Sequence, residues 1–522
     1  MSQAWEIDNF LDVRDGQLHI DGVSAVGLAR EHGTPLFVFS EARIKHNIAR
    51  LLRVQEAIGC PLKVCYAAKA MSTMGILRVV KDAGCDIEVN SGGELWKALE
   101  AGFTGDQIIF NGTSKEVWEI ENAINADIYA IQVDSIYELS LIEQTAERLD
   151  KIANVSLRLV PEIESDTHSG LQTALLTSKF GMMPDEAFAE FRKYKNSPHL
   201  AMNGIHLHVG SQNPEPAVYT EALAILFESM IRIYNESGLK LKHVNIGGGF
   251  PVDYSKGKTR LPEEHRKNLN EMMERGHVVH KTGDREIRSP IPQHVRESHA
   301  REKMFEADYE PSDAISEAWN SAKARFADAG LSNLLTDLSI LLEPGRSIIA
   351  DAAICLTTVR NNKSRPTSSG SPPYQGGVAT ASVDGVVLSS HQPTTGNWLL
   401  TDAGFNILLS METYKWYYHL ISAERAADAH ETPYKLAGPL CDGGDVYFDI
   451  EGKGRLPDYR LLPENIESGE ILALLNCGAY SLAQASQYNG RFLPPVVLVG
   501  ENGFAELIRR RDTFSDLVGS DL

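Results

Sequence analysis

The sequence predicts an α/β protein: a (β/α)8, TIM-like barrel followed by an antiparallel β-domain. Three observations predict it. Eight short, apolar, β-branched segments alternate with amphipathic helical patterns between Leu62 and Leu342. Polar and ionisable residues recur just after those segments. Beyond Ile354 helical patterns thin out and strand-like runs dominate. A doubly wound open sheet is the runner-up, but such a sheet rarely uses eight consecutive units without an edge signal.

The elements follow in order. Leu36–Phe39 reads as a strand, and Ser40 caps a helix running to about Ile58, with Glu41 in its first turn. Strands are expected over 62–68, 85–89, 107–110, 128–133, 155–160, 202–209, 243–246 and 339–342. The intervening helices fall near 73–83, 93–101, 115–125, 135–149, 184–195, 215–236 and 313–329. Past residue 354, the runs 355–359, 378–388, 398–402 and 496–499 read as strands. A stretch rich in Ser, Pro, Gly and Asn at about 361–377 reads as a flexible loop. Between the seventh strand and the last helix lies a charged insertion, about 251–311, far longer than the usual ~2–6-residue βα loop. Its histidines, His265, His277, His280, His294 and His299, have no regular ligand spacing, so a solvated lid over the barrel mouth or a partly disordered insertion is expected rather than a metal site.

Composition narrows the classes. A net charge of −20 argues against a nucleic-acid or anionic-membrane surface. The first residues lack a basic and apolar leader, and no apolar run reaches the ~18 residues of a membrane span. The six cysteines are scattered without CxxC spacing, as in a reduced, cytoplasmic protein.

The chemistry lies at the predicted strand ends. Val64–Ala70 is a buried strand ending in Lys69. A strand-end lysine often just reaches solvent. A desolvated one has a lowered pKa and serves as a Schiff-base nucleophile. Gly247-Gly248-Gly249 either makes a tight turn or lets backbone N–H groups cradle a phosphate. Ser211 adds a donor and Arg346 a fixed cation. Glu343 could protonate a ring nitrogen, and His208 is either a core histidine or a flat group against a ring. A lysine, an acid, phosphate donors and a flat group are what pyridoxal 5'-phosphate requires.

The motifs YAAKA (66–70), EVNSGGEL (88–95), HLHVGSQ (206–212), GGGF (247–250), EPGR (343–346), CDGGD (441–445) and GAYSLAQASQYN (478–489) resemble those of fold-type III decarboxylases that use pyridoxal phosphate, the ornithine/diaminopimelate/arginine group. The 157–182 stretch is similar too. The resemblance implies an alanine-racemase-like, two-domain architecture: a barrel over 36–352, and a β-domain from 1–35 and 353–522. It implies that Lys69 holds the cofactor's aldehyde, that His208 stacks on its ring and that Glu343 pairs with its nitrogen. Ser211, Gly248, Gly249, Arg346 and Tyr480 would hold the phosphate. Cys441 would return a proton to carbon after CO2 leaves. Arg346, Tyr414, Asp442 and Tyr480 would contact the amino-acid substrate. A homodimer sharing its sites across the interface is implied, with the Cys441–Asp442 segment entering the partner's site.

Two departures bear on the substrate. The family arginine that grips a distal carboxylate falls on Ser410, and the usual glutamate after the cysteine is Asp442. An unpaired desolvated carboxylate costs several kcal/mol. The expectation is therefore a substrate other than meso-diaminopimelate: ornithine, lysine or a larger conjugated amino acid such as a siderophore intermediate. A diaminopimelate decarboxylase is the alternative. A racemase would lack CDGGD, and a silent regulatory relative would lose Lys69, Cys441 or phosphate ligands.

Overall fold

The computed structural model describes residues 5–7, 10–160, 178–255, 271–273, 275–282, 285–291, 304–366, 395–451 and 455–521. Eight parallel strands close a barrel: β1 (Leu62–Ala67), β2 (Asp86–Val89), β3 (Ile108–Phe110), β4 (Ala130–Val133), β5 (Ala153–Arg158), β6 (Leu200–His206), β7 (His243–Asn245) and β8 (Ser339–Leu342). Each pairs with its neighbour in sequence, and β8 closes on β1. Two of the strand-to-helix turns use one device. Ser91 and Ser135 accept the N–H of Glu94 and Glu138, and each glutamate reaches back to a backbone N–H just before the cap, of Asn90 or Asp134. This Ser-x-x-Glu pattern starts the helix almost directly after the strand.

The second unit is a nine-stranded, mostly antiparallel sheet. An interior strand of it, Leu36–Ser40, is antiparallel to Ala353–Pro366 on one side and parallel to Val496–Val499 on the other. All five of its residues are buried. Phe37 and Phe39 pack into the cluster shared with the barrel helices. Leu36 and Val38 pack into a second cluster with Leu18, Ile20, Val26 and Leu28 of the N-terminal hairpin and helix. Side chains alternate between faces along a strand, so this strand carries a core on each side.

Several expectations meet the structure differently. Leu36–Ser40 begins the barrel in the sequence reading but is a strand of the large sheet, because an apolar run reveals burial and not its hydrogen-bond partner. The helix expected over 40–58 is two helices, Glu41–Leu52 and Val54–Ile58. The loop at 361–377 begins as strand: residues up to Pro366 continue Ala353–Pro366 and pair with Thr395–Thr401. The rest of that loop and the 378–388 strand lie outside the described residues. The start of the 251–311 insertion is no solvated lid, since Val252 and Tyr254 are buried. Its described middle is a hairpin, His277–Thr282 with Arg285–Pro290. His265, His294 and His299 lie outside the described residues. Among the described residues no helix is long and apolar enough to cross a membrane.

One carboxylate strains the N-terminal hairpin. Burial raises Asp21 from 3.8 to about 6; the Ser40 hydroxyl opposes this, and Asp12 and Glu501 add to it. Below 3.8 folded and unfolded chains both hold this proton. As pH rises toward 6 the unfolded chain releases it first, so stability falls across that window and stays lower above it. Asp21 has φ +48°, which asparagine also tolerates. The variant Asp21→Asn is expected to melt a few degrees above wild type near ~pH 8 and level with it near ~pH 4. A thermal-melt difference that does not change with pH would refute this.

Candidate active site

Strand alternation delivers the polar groups to the barrel mouth. Cys65, Ile109, Ala130 and Leu341, from β1, β3, β4 and β8, form a small cluster of their own, apart from the outer core that takes Val64, Ile108, Ile131 and Ile340. Two residues further along, on the same inward face, come Ala67, Asn111, Gln132 and Glu343. Lys69 follows in a 3-10 turn, Ala68–Ala70, held by the Tyr480 N–H on the Ala70 carbonyl at 2.9 Å.

The buried carboxylate of Glu343 is tightly held. Asn245 Nδ2 donates to Oε1 at 2.7 Å and Asn111 Nδ2 to Oε2 at 3.0 Å. His206 Nε2 lies 3.6 Å from Oε2. Asn111 Nδ2 also donates to Glu88 Oε1 at 2.8 Å. Glu88 Oε2 faces the Lys69 amine at 3.8 Å.

These neighbours set the charges. Burial raises the Glu88 carboxyl, Lys69 draws it back and Glu343 raises it again. Burial pushes Lys69 down, but Glu88, Tyr480 and Glu343 outweigh it and hold the amine above its ordinary range. The expected lowered lysine is therefore overturned in this structure, for a reason the local sequence cannot show: the second strand brings a carboxylate beside it. Although ringed by protein, Lys69 keeps 44% of its side chain open to the mouth. Burial, Lys69 and Arg158 hold His208 well below its usual value, so its ring is neutral.

Lys69, His208, Ser211, Gly249, Glu343, Arg346 and Tyr480 line one cavity. The glycines are obligatory there. A Cβ on Gly249 (φ +97°) would meet the Gly210 carbonyl oxygen at 2.4 Å, and one on Gly248 the Glu343 carbonyl oxygen at 2.2 Å. The Gly248 N–H donates to His208 Nδ1 at 3.2 Å, so Gly248 braces the histidine ring. Arg346 donates from Nε to Ser211 Oγ at 3.2 Å and from Nη1 to the Tyr254 hydroxyl at 3.0 Å, and lies over the Trp416 ring at 4.2 Å.

Other expected residues lie outside this cavity. Cys441 is exposed, and its N–H donates to Asn489 Oδ1 at 2.7 Å. The exposed Asp442 accepts from the Tyr488 hydroxyl at 3.1 Å and the Gly444 N–H at 2.9 Å. Tyr414 is half-buried. Ser410 is buried, with its hydroxyl 3.5 Å from Gln484 Oε1. Lys415, the nearest cation in sequence, pairs with Glu412 at 2.7 Å.

Sequence reasoning assigned no role to Asn111, Asn245, Arg158, Tyr254 or Trp416. Asn111 and Arg158 are among the polar residues that the sequence places at strand ends, and Asn245 carries the same signal. Tyr254 and Trp416 carry none, since only tertiary packing brings them to Arg346. The Arg158 guanidinium is buried over the Phe180 ring at 4.2 Å, with Asp134 at 3.9 Å.

Residues 44–286 match the family model described as "Pyridoxal-dependent decarboxylase, pyridoxal binding domain". The diaminopimelate decarboxylase of Methanothermobacter thermautotrophicus is 30% identical over 97% of this chain and 96% of its own. The chain belongs to the pyridoxal-dependent decarboxylases. It is similar in structure to the diaminopimelate decarboxylase of Methanocaldococcus jannaschii, with TM-score 0.74 and 28% identity over 99% of this chain and 98% of that one. A lysine decarboxylase of Selenomonas ruminantium, 21% identical over 91% of this chain and 94% of its own, shares the fold with TM-score 0.63.

The residues present fit the family's cofactor, pyridoxal phosphate. They offer an open amine, a fixed carboxylate, a glycine surface that any Cβ would fill, and a guanidinium with a hydroxyl beside it. In this decarboxylase, Gly248→Ala is expected to destabilise the fold by about 3 kcal/mol in urea denaturation and to lower cofactor retention, because backbone rather than a movable side chain meets the new methyl. Wild-type stability in that variant would contradict the close packing described.

Proposed function

We propose that this chain removes the α-carboxylate of a diamino acid, with diaminopimelate the first candidate because the full-length relatives carry that name. The convergence of Lys69, His208, Glu343 and Arg346 on one cavity carries the reading. A structure of the M. jannaschii relative holds L-lysine, the product expected of such a reaction.

When bound, pyridoxal phosphate supplies an electron sink for the pair released with CO2. In this reading Lys69 would hold the cofactor through its aldehyde, and Glu88, 3.8 Å away, would take up or return the proton of the lysine amine. Glu343 keeps a proton on the ring nitrogen. The neutral His208 face, fixed by Gly248, orients the ring. Ser211, Gly249, Arg346 and Tyr480 hold the phosphate, and Arg346 and Tyr480 also face the substrate. Cys441 donates the final proton to carbon, while Asp442 and Tyr414 receive the far end of the substrate. The exposed Cys441 and Asp442 fit a homodimer in which this segment reaches the partner's mouth.

A second reading rests on Ser410. With Ser410 buried in place of the family arginine and Lys415 paired to Glu412, neither offers a cation to a distal carboxylate. This favours ornithine, lysine or a larger conjugated amino acid, as a siderophore pathway would use.

Release of CO2 from a panel of these amino acids decides between the readings. If the Ser410 reading holds, turnover on diaminopimelate falls about a hundredfold or more below the best compound, since one unpaired desolvated carboxylate costs several kcal/mol. Equal or best turnover on diaminopimelate supports the first. Lys69→Ala is expected to abolish the red-shifted absorbance that a lysine–aldehyde bond gives the bound cofactor, and all CO2 release. Retained activity in that variant would remove Lys69 from its role.

A further inference from the structure

Asn111 stands between two buried carboxylates, and its one amide nitrogen serves both. Nδ2 is 2.8 Å from Glu88 Oε1 and 3.0 Å from Glu343 Oε2. Ionised carboxylates accept hydrogen bonds and do not donate them. The NH2 of an amide is therefore the group that can satisfy both at once, one proton to each. Asn111 is itself buried, and its backbone is fixed by its N–H on the Val89 carbonyl at 2.8 Å. Leucine at this position would leave two carboxylate oxygens facing each other without a donor between them. The line of contacts runs Lys69–Glu88–Asn111–Glu343–Asn245, from the amine that meets the aldehyde to the acid that meets the ring nitrogen.

We propose that Asn111 is a positioning residue that clamps Glu343 onto the cofactor's ring nitrogen and, with its second N–H, fixes Glu88 beside Lys69. The proposal rests on the reading of Glu343 as the ring-nitrogen acid. Asn245 holds the other oxygen of Glu343, so loss of Asn111 frees one side of the carboxylate and lets it swing away from the ring.

The test uses pyridoxal phosphate and its 1-deaza analogue, in which carbon replaces the ring nitrogen. Dissociation constants are measured for apo wild type, Asn111→Leu and Glu343→Leu, with thermal melts showing that each variant is folded. Wild type is expected to prefer pyridoxal phosphate. Asn111→Leu is expected to weaken pyridoxal phosphate about tenfold, the effect of one hydrogen bond to a charged group, and to change the analogue by about twofold or less. Equal weakening of both ligands, or of neither, overturns the proposal. If Glu343→Leu keeps the wild-type preference, the ring-nitrogen reading of Glu343 fails. If Glu343→Leu loses it while Asn111→Leu keeps it, the role of Asn111 alone fails. Should Asn111→Leu not fold, Asn111→Asp is read by the same criteria, since it keeps the shape but cannot donate to both carboxylates.

Discussion

The guanidinium of Arg346 is the contact on which the arrangement of the mouth depends. It lies just past β8, yet it meets the loop after β6 through Ser211, the chain beyond the triple glycine through Tyr254, and the second unit through Trp416 and Tyr480. Burial alone would lower its charge. The surrounding aromatic hydroxyls more than offset that and keep the cation firmly protonated. A planar cation with five donors can bond in its plane and stack on its faces at once, which lysine cannot do. The same group therefore faces the cavity and joins barrel to sheet.

The barrel was legible because its strands announce themselves twice: as apolar runs, and by the polar residue that follows each. Lys69, Glu343 and Arg346 were found that way. Which of the strand-end residues would meet was not legible. Nothing near Lys69 in sequence says that Glu88 will stand 3.8 Å away and reverse the direction of its pKa. Tyr254 belongs to a charged insertion that reads as solvated, and Trp416 falls in no expected element or motif. Both were invisible because packing across elements placed them. Leu36–Ser40 shows the same limit in the fold: five buried residues declare a strand, but not its sheet.

The mouth also shows how a barrel accommodates charge in its interior. Glu88, Glu343 and Arg158 all sit within it; amides meet the two glutamates and Asp134 faces the arginine. Buried charges persist only where such partners exist. The Lys115–Glu138 pair repeats the solution behind the barrel wall, where Lys115 also donates to the Gly112 and Gln132 carbonyls at 2.8 and 2.9 Å.

The strand Leu36–Ser40 has a consequence for biosynthesis. Its hydrogen-bond partners are Ala353–Leu356 and Val496–Val499, so the last partner leaves the ribosome well after every barrel strand. The barrel strands, paired with their sequence neighbours, can close long before that. An early segment with two apolar faces must therefore wait beside a formed barrel. The order of synthesis leaves the two apolar faces of that strand uncovered until its partners have been made.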